Sequence, residues 1–407
     1  MKVALVTGGY FPVPPAKGGA VEALVQYLIE QNERRGSLEL IVYSCDDPEA
    51  RRVASRFGCT RFVFVRTPAI VKIADRVVYF LAKSVLRKEK HMSYRYILQR
   101  LHFIRTVGRN LANDPVDRVV FENHPTLLGA LRIAGNRERY AGRYDYHMHN
   151  SLSGLFGCEE EFLGCRKVIG VSRYILKEAR RLTGAKIDDS KLVVLRNRVD
   201  DAVFSKKITK AEVDALRGQH AIPNGSKVVL FAGRLCSEKG ALELIEAFSK
   251  LHDSSAVLLV LGSYYYGSKM KSEYERHLSV AAESLGGRII FTGFVGHDKM
   301  PRYLALADCV VAPSVWDDPA PLSVIEPLTA GKPLVTTRRG GIPEYASDGI
   351  DSVVLLLGEG FVDRLAGAID GVLDGSVTLG RNESADWSVA GYYDDFLKLM
   401  TEEGLDD

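Results

Sequence analysis

The sequence predicts an α/β protein built from two doubly wound domains in tandem, and three observations lead there. A chain of 407 residues is too long for one ordinary hydrophobic core. Short apolar runs of strand length alternate with helical periodicity, the pattern of parallel sheets with helices on both faces. The alternation breaks in an irregular stretch, residues 197–210, and then begins again. We therefore expect a first domain over residues 1–205, a second over 206–386, and a closing segment, 387–407, whose helix packs back on the first domain. Sheets of this kind take ligands at the carboxyl ends of their strands, so the expected site is an interdomain cleft.

In the first domain residues 2–7 read as a buried strand, followed by a Gly/Pro-rich loop to Gly19. A helix is expected over 20–35, with Leu24, Leu28 and Ile29 on one face and Gly36 as its stop. Residues 38–44, 61–65, 118–121, 144–148, 167–171 and 192–195 read as further strands. The second series is 228–231, 256–261, 288–291, 309–312, 333–336 and 352–356, with helices expected over 241–251 and 322–330. Both domains are thus Rossmann-like in the order of their elements.

Composition is that of an ordinary soluble chain, 46% hydrophobic and 26% charged. No apolar run approaches membrane-spanning length, and no signal-peptide pattern opens the sequence. The six cysteines form no CxxC pair and read as thiols of a reducing cytosol. Charge is uneven. Residues 1–205 carry 34 Lys and Arg against 22 Asp and Glu, a balance of +12, and the remainder 20 against 29, a balance of −9. A basic first half suits an anionic partner.

Three constellations carry chemistry. Gly18 and Gly19 stand where the first helix opens, and glycines there let a phosphate approach free backbone N–H groups; a tight strand-to-helix turn is the alternative. The loop has no GxGxxG, and no Walker motif occurs anywhere. After strand 228–231 come Gly233, Arg234 and Lys239, two cations beside a helix start that a diphosphate would neutralise. After strand 309–312 a proline-laden loop holds Asp318 and leads through Pro321, Leu322 and Ser323 into a helix containing Glu326. One carboxylate there can accept sugar hydroxyls and the other a ribose diol, while the helix N–H groups favour phosphate.

Residues 311–326, with Gly340-Gly341-Ile342-Pro343-Glu344, resemble the acidic-x7-acidic signature of retaining enzymes in glycosyltransferase family 4. Gly233-Arg234 with Glu238-Lys239-Gly240 is similar to that family's phosphate-binding segment, and Gly18-Gly19 to its N-terminal loop. Phe294 and Val295 stand in the segment where the family lays the nucleotide base, and Asn197 in its interdomain stretch. The resemblance covers nearly the whole chain. It implies the GT-B architecture and retaining transfer of a hexose-type sugar from a nucleotide-diphosphate donor to a glycan, lipid-linked or small-molecule acceptor. It also implies that cations and helix ends hold the diphosphate, so no cofactor or metal is expected. Arg234, Lys239, Asp318 and a histidine are the implied catalytic residues. Two departures stand out: the first acid is Asp318 where Glu is usual, and Ala320-Pro321 replaces Phe-Gly. The family's N-terminal histidine falls in residues 120–125, where His124 is one place off and Asn123 stands in the expected place; His149 is a second candidate.

Residues 72–109 hold ten Lys and Arg against two acids, interleaved with apolar and aromatic side chains. They are a candidate for peripheral contact with anionic membrane, or two helices with solvated basic faces. No nucleic-acid motif accompanies the charge, so nucleic acid is not an expected partner. The expected location is cytoplasmic, including the inner face of the membrane. Two rivals share the architecture: a nucleotide-sugar epimerase and a catalytically silent sugar-nucleotide-binding protein.

Overall fold

The computed structural model describes residues 1–81, 84, 96–263 and 272–402. The chain forms two compact units. The first contains Met1–Val171, Ile175–Leu195 and the chain from Tyr392; the second contains Ser172–Tyr174 and Arg196–Gly391.

The first unit's strands are β1 (Lys2–Val6), β2 (Glu39–Cys45), β3 (Thr60–Val65), β4 (Arg118–Glu122), β5 (Tyr144–Met148), β6 (Lys167–Gly170) and β7 (Leu192–Val194). They form one parallel sheet in the order β3-β2-β1-β4-β5-β6-β7. The second unit's strands are β8 (Val228–Ala232), β9 (Val257–Leu261), β10 (Ile289–Gly293), β11 (Cys309–Ala312), β12 (Leu334–Thr337) and β13 (Ser352–Leu355). Their order is β10-β9-β8-β11-β12-β13, again parallel. Every strand read from the sequence is present, with ends shifted by a residue or two.

The central strands are unbroken apolar runs because helices cover both of their faces. Val3, Ala4, Leu5 and Val6 are fully buried, as are Val228, Val229 and Leu230. In the second unit Val229, Phe231, Leu258, Val260 and Val311 share one core with Leu244, Phe248 and Ile369 of the covering helices.

The chain enters the second unit at Arg196, earlier than the boundary expected near 205. Asn197 accounts for the difference. It is buried, and its backbone N–H donates to the Tyr345 hydroxyl (3.0 Å) and its side-chain amide to the Ala320 carbonyl (3.2 Å). The irregular stretch is therefore bonded into the second unit rather than acting as a linker.

The final helix, Val389–Thr401, contributes its residues from Tyr392 to the first unit. Its Tyr393 hydroxyl donates to Oδ1 of Asn32, in the helix Ala20–Arg35, at 2.6 Å. The same fully buried Asn32 exchanges two hydrogen bonds with Leu38, each 2.9 Å. Three groups therefore lose their partner in Asn32→Ala, where an unpaired buried polar group costs about 1–3 kcal/mol. We expect urea unfolding to show a loss of about 3 kcal/mol. A loss below about 1 kcal/mol would mean that water replaces the amide.

Candidate functional site

In the second unit strand order reverses between β8 and β11, so the chain leaves their carboxyl ends in opposite directions and a crevice opens there. After β8 the chain passes Gly233 and Arg234, makes a short turn over Ser237–Lys239, and reaches Gly240 with φ +72°. A Cβ on Gly240 would lie 1.9 Å from the Pro313 carbonyl oxygen, so glycine is what lets the β8 loop lie against the β11 loop. Two hydrogen bonds join the loops, from Val315 N–H (3.0 Å) and the Ser314 hydroxyl (3.1 Å) to the Glu238 carbonyl.

This apposition brings Lys239 and Asp318 together as an ion pair. The sequence reading left both cations of the β8 loop without a counter-charge. That expectation is corrected for Lys239, whose partner lies 79 residues away. Arg234 is exposed and makes no ion pair with a described residue. A pocket at this place is lined by Ala232, Lys239, Ala312, Asp318, Pro321 and Ser323, among others.

Gly340 and Gly341 fix the acid loop. Their missing Cβ atoms would fall 2.4 Å from the Asp318 carbonyl oxygen and 1.9 Å from that of Pro319. Gly341 N–H donates to the Asp318 carbonyl (2.8 Å), and Gly340 N–H to Asp317 Oδ1 (3.0 Å). Asp317 also meets Arg339 at 3.1 Å, so it braces the loop and Asp318 faces the pocket. Asn197 adds the bond to Ala320 described above.

The helix Leu322–Thr329 then starts behind Pro321 with no side-chain cap. First-turn N–H groups of such a start suit an anion. Glu326, one turn in, is buried, and its Oε1 lies 2.9 Å from Nε2 of His297. Burial is the largest influence and works against a charge on His297, but the bond to Glu326 together with the charges of Glu326, Asp298 and Asp200 outweighs it and raises the ring's pKa. The ring stays 46% exposed, so the pair is screened by water. His297 follows β10 in the same loop as Phe294 and Val295; Phe294 is 44% exposed and Val295 partly buried. Sequence reading missed His297, because nothing local marks a histidine 29 residues before its acid.

In the first unit strand order reverses between β1 and β4. Gly18 (φ +73°) and Gly19 (φ +114°) form the turn into the helix Ala20–Arg35. The anion position there holds the protein's own carboxyl group. Glu22 is buried and lies so close over Gly19 that a Cβ would meet its Oε2 at 2.1 Å. Burial, with the nearby charge of Glu122, raises its pKa to about 7.

The end of β4 holds a second group, of which the sequence marks only His149 as a candidate. Glu122 and His147 are paired neighbours on β4 and β5, and His149 follows β5. All three are buried, with Glu122 Oε2 2.7 Å from His149 Nε2 and 3.1 Å from His147 Nδ1. Burial pushes Glu122 up, but the two rings facing it turn it below the usual carboxylate range. Burial pushes His149 down. Among the described residues this is the group that could hold a metal ion, with ligand atoms within 4.8 Å of one another. His149 is thereby tied to Glu122.

Asn123 takes φ +65°, unusual for a non-glycine residue. Its carbonyl accepts the Tyr146 hydroxyl at 2.6 Å, and its Oδ1 the Asn150 amide at 3.2 Å. His124 caps the turn Pro125–Arg132, accepting Thr126 N–H at Nδ1 (3.3 Å), and stacks on Phe156. Burial and then the charge of Arg100 lower its pKa to about 4, so the ring is neutral with Nε2–H as its donor.

Residues 212–392 match the family model described as glycosyl transferases group 1. An uncharacterized glycosyltransferase of Methanocaldococcus jannaschii is 26% identical over 359 residues, 87% of this chain and 84% of the relative. The lipopolysaccharide 1,2-N-acetylglucosaminetransferase of Salmonella typhimurium is 35% identical over 140 residues, 34% of this chain and 37% of that one. Among solved structures, the Anabaena protein HepE in complex with UDP-glucose superposes with a TM-score of 0.66 at 19% identity, covering 98% of this chain and 95% of that one. The two parallel-sheet units are the GT-B architecture.

Glu22 makes a pH test. Its folded pKa of about 7 lies above the ordinary 4.5, so the folded state binds more protons between those values and loses stability as pH rises through that window. Between pH 5 and 8 the wild type should lose about 2.5 kcal/mol more than Glu22→Gln in urea unfolding. Parallel pH profiles would show that Glu22 titrates normally.

Proposed function

We propose that the chain transfers a hexose-type sugar from a nucleotide-diphosphate donor to a glycan, lipid-linked or small-molecule acceptor, with retention at the anomeric carbon. The observation that carries this is the convergence, at the β8/β11 reversal, of Lys239, Asp318 and an uncapped helix start, with Arg234 in the same loop as Lys239. Relatives named for glycosyl transfer, and a family match that spans this site, support it.

On this reading the bond between the sugar and the diphosphate breaks with its electron pair leaving on the phosphate oxygen. The acceptor hydroxyl then attacks from the same face, its proton passing to the departing diphosphate oxygen. The protein's contribution is electrostatic: Arg234, Lys239 and the N–H groups at Leu322 and Ser323 stabilise the departing charge. Asp318 accepts a sugar hydroxyl. Glu326, oriented by His297, accepts the ribose diol, and Phe294 and Val295 flank the base. Gly233 keeps the backbone open beside the phosphates. In the first unit His124 or Asn123 serves the sugar, while His149 holds Glu122 in place. Gly18 and Gly19 admit the phosphate once Glu22 moves or is protonated. Donor binding also makes Lys239 exchange part of its bond to Asp318 for phosphate oxygens, so no metal is required.

Arg234→Ala and Lys239→Ala should each cost about 10²–10³ in kcat with the fold intact. A double variant with near-normal rate would remove the phosphate assignment. Calorimetry separates the acids. Asp318→Asn should abolish most transfer yet bind free nucleoside diphosphate normally or more tightly, because Lys239 is released. Glu326→Gln should weaken the free nucleotide by about 1.5–3 kcal/mol. Equal losses against free nucleotide would refute the two roles. A panel of UDP-, GDP-, dTDP- and ADP-sugars, assayed by hydrolysis, identifies the donor. EDTA should leave donor affinity unchanged, and a loss restored by Mg²⁺ would overturn the metal-free reading.

A further inference from the structure

Glu122, His147 and His149 turn to one face of the first unit's sheet. Register sets Glu122 of β4 beside His147 of β5, and neighbouring side chains of a parallel pair share a face. Side chains alternate along a strand, so His149, two residues on, returns to the same side; its ring centroid lies 4.0 Å from that of His147. The three side chains are sealed from water, with 0%, 1% and 3% of their surface exposed. Four of their polar atoms nevertheless lack a hydrogen-bond partner: Glu122 Oε1, His147 Nδ1 and Nε2, and His149 Nδ1. His147 Nδ1 is 3.1 Å from Glu122 Oε2 but is not lined up for a hydrogen bond. Buried polar atoms are paired almost without exception, so several unpaired ones together mark a missing partner. All three residues are among the described ones, unlike 82–83 and 85–95 of the basic stretch 72–109.

We propose that these three side chains bind a divalent transition-metal ion of the zinc type, through one imidazole nitrogen of each histidine and a carboxylate oxygen of Glu122. Two imidazoles with one carboxylate are a donor set that such ions take, whereas Mg²⁺ and Ca²⁺ prefer oxygen alone. The ligand atoms already lie within 4.8 Å of one another. A tetrahedral ion about 2.0–2.1 Å from each donor spaces the donors by about 3.3 Å. The 3.1 Å between Glu122 and His147 is close to that. The 2.7 Å between Glu122 and His149 has to open by about 0.6 Å, the ion taking the place of that hydrogen bond. Charge points the same way. The charge of Glu122 acts on buried Glu22, and among the described residues no Lys or Arg pairs with either carboxylate. A buried water would pair some of the orphaned atoms but brings no charge. Three protein ligands leave a tetrahedral ion one position for water. The site lies in the first unit and the proposed diphosphate contacts in the second, so the inference does not rest on the transfer reading.

The test needs no activity. The full chain, stripped with a chelator and dialysed, is titrated with Zn²⁺ and separately with Co²⁺. One equivalent of each should bind, and Zn²⁺ should displace Co²⁺ with loss of the visible bands of a four-coordinate Co²⁺ ion. Zn²⁺ should raise the thermal midpoint, and Mg²⁺ at the same concentration should leave it unchanged. Removing an outer partner of a metal ligand costs about 10–100-fold in affinity, so removing a ligand itself should cost at least about 100-fold. Glu122→Gln and His149→Ala should each do so. His252→Ala should change nothing; that ring is 92% exposed beside Asp370, the kind of surface pair that takes adventitious metal. X-ray absorption of the wild-type Zn²⁺ form should show two imidazoles on the ion, a readout that stands even where a variant fails to fold. No bound equivalent, wild-type affinity in Glu122→Gln or His149→Ala, loss of binding in His252→Ala, or fewer than two imidazoles on the ion would overturn the proposal.

Discussion

A parallel strand covered on both faces admits a polar side chain along its length only where a partner satisfies it, and the central strand of each sheet carries none in its middle. Val3 to Val6 and Val228 to Leu230 are sealed completely. Reactive groups therefore collect where a strand ends, and space for a ligand opens where strand order reverses. In each unit that place is fixed by topology: β1 beside β4, and β8 beside β11. The rest is a matter of how closely the two loops approach. Gly240, whose Cβ would collide with the Pro313 carbonyl oxygen, sets that distance in the second unit, and Gly341 lets the loop after β12 close on the carbonyl of Pro319. The acid loop reaches Lys239 because of them.

The second consequence is electrostatic. A charge half-withdrawn from water needs a counter-charge or a proton. Lys239 has Asp318, Glu326 has His297, Asp47 has Lys17, and Glu122 has two rings. Glu22, without a cation, is pushed toward its neutral form. On the proposed reading, a phosphate arriving at Lys239 replaces one partner with another. The net gain from such an exchange is smaller than the contact suggests. What it adds is discrimination, since only a ligand that satisfies both Lys239 and Asp318 leaves neither charge stranded.

The same physics explains what could be read from the sequence. Short apolar runs made the central strands legible, because burial on both faces writes itself into consecutive residues, as in Val3–Val6 and Val228–Phe231. The loops after β8 and β11 were legible as motifs, because their residues are neighbours in the chain. Pairings were not. His297 with Glu326, Lys239 with Asp318 and His147 with Glu122 join residues 25 to 79 positions apart, and no local pattern encodes them. Glu22 was hidden for another reason. A glutamate in the first turn of a helix is ordinary, and only the fold shows that its carboxyl is buried over Gly19.

Amphipathicity has the same ambiguity on the helix Ala69–Phe80. A periodic apolar stripe reads as a core face in any sequence, and the usual inference buries it. Here the buried side is the one that carries Asp75, whose carboxylate takes two N–H groups at the opening of the next helix. Those groups have no partner within their own helix, and a carboxylate facing them is held by hydrogen bonds and by the helix dipole together. Rotating the helix to bury Ile70, Ile73, Val77 and Phe80 would break both bonds and leave the helix start bare. The polar contact thus decides the orientation, and the apolar side chains are left outward as its consequence. An outward stripe of this kind stays in water at a cost in exposed hydrocarbon, which the two hydrogen bonds of Asp75 offset.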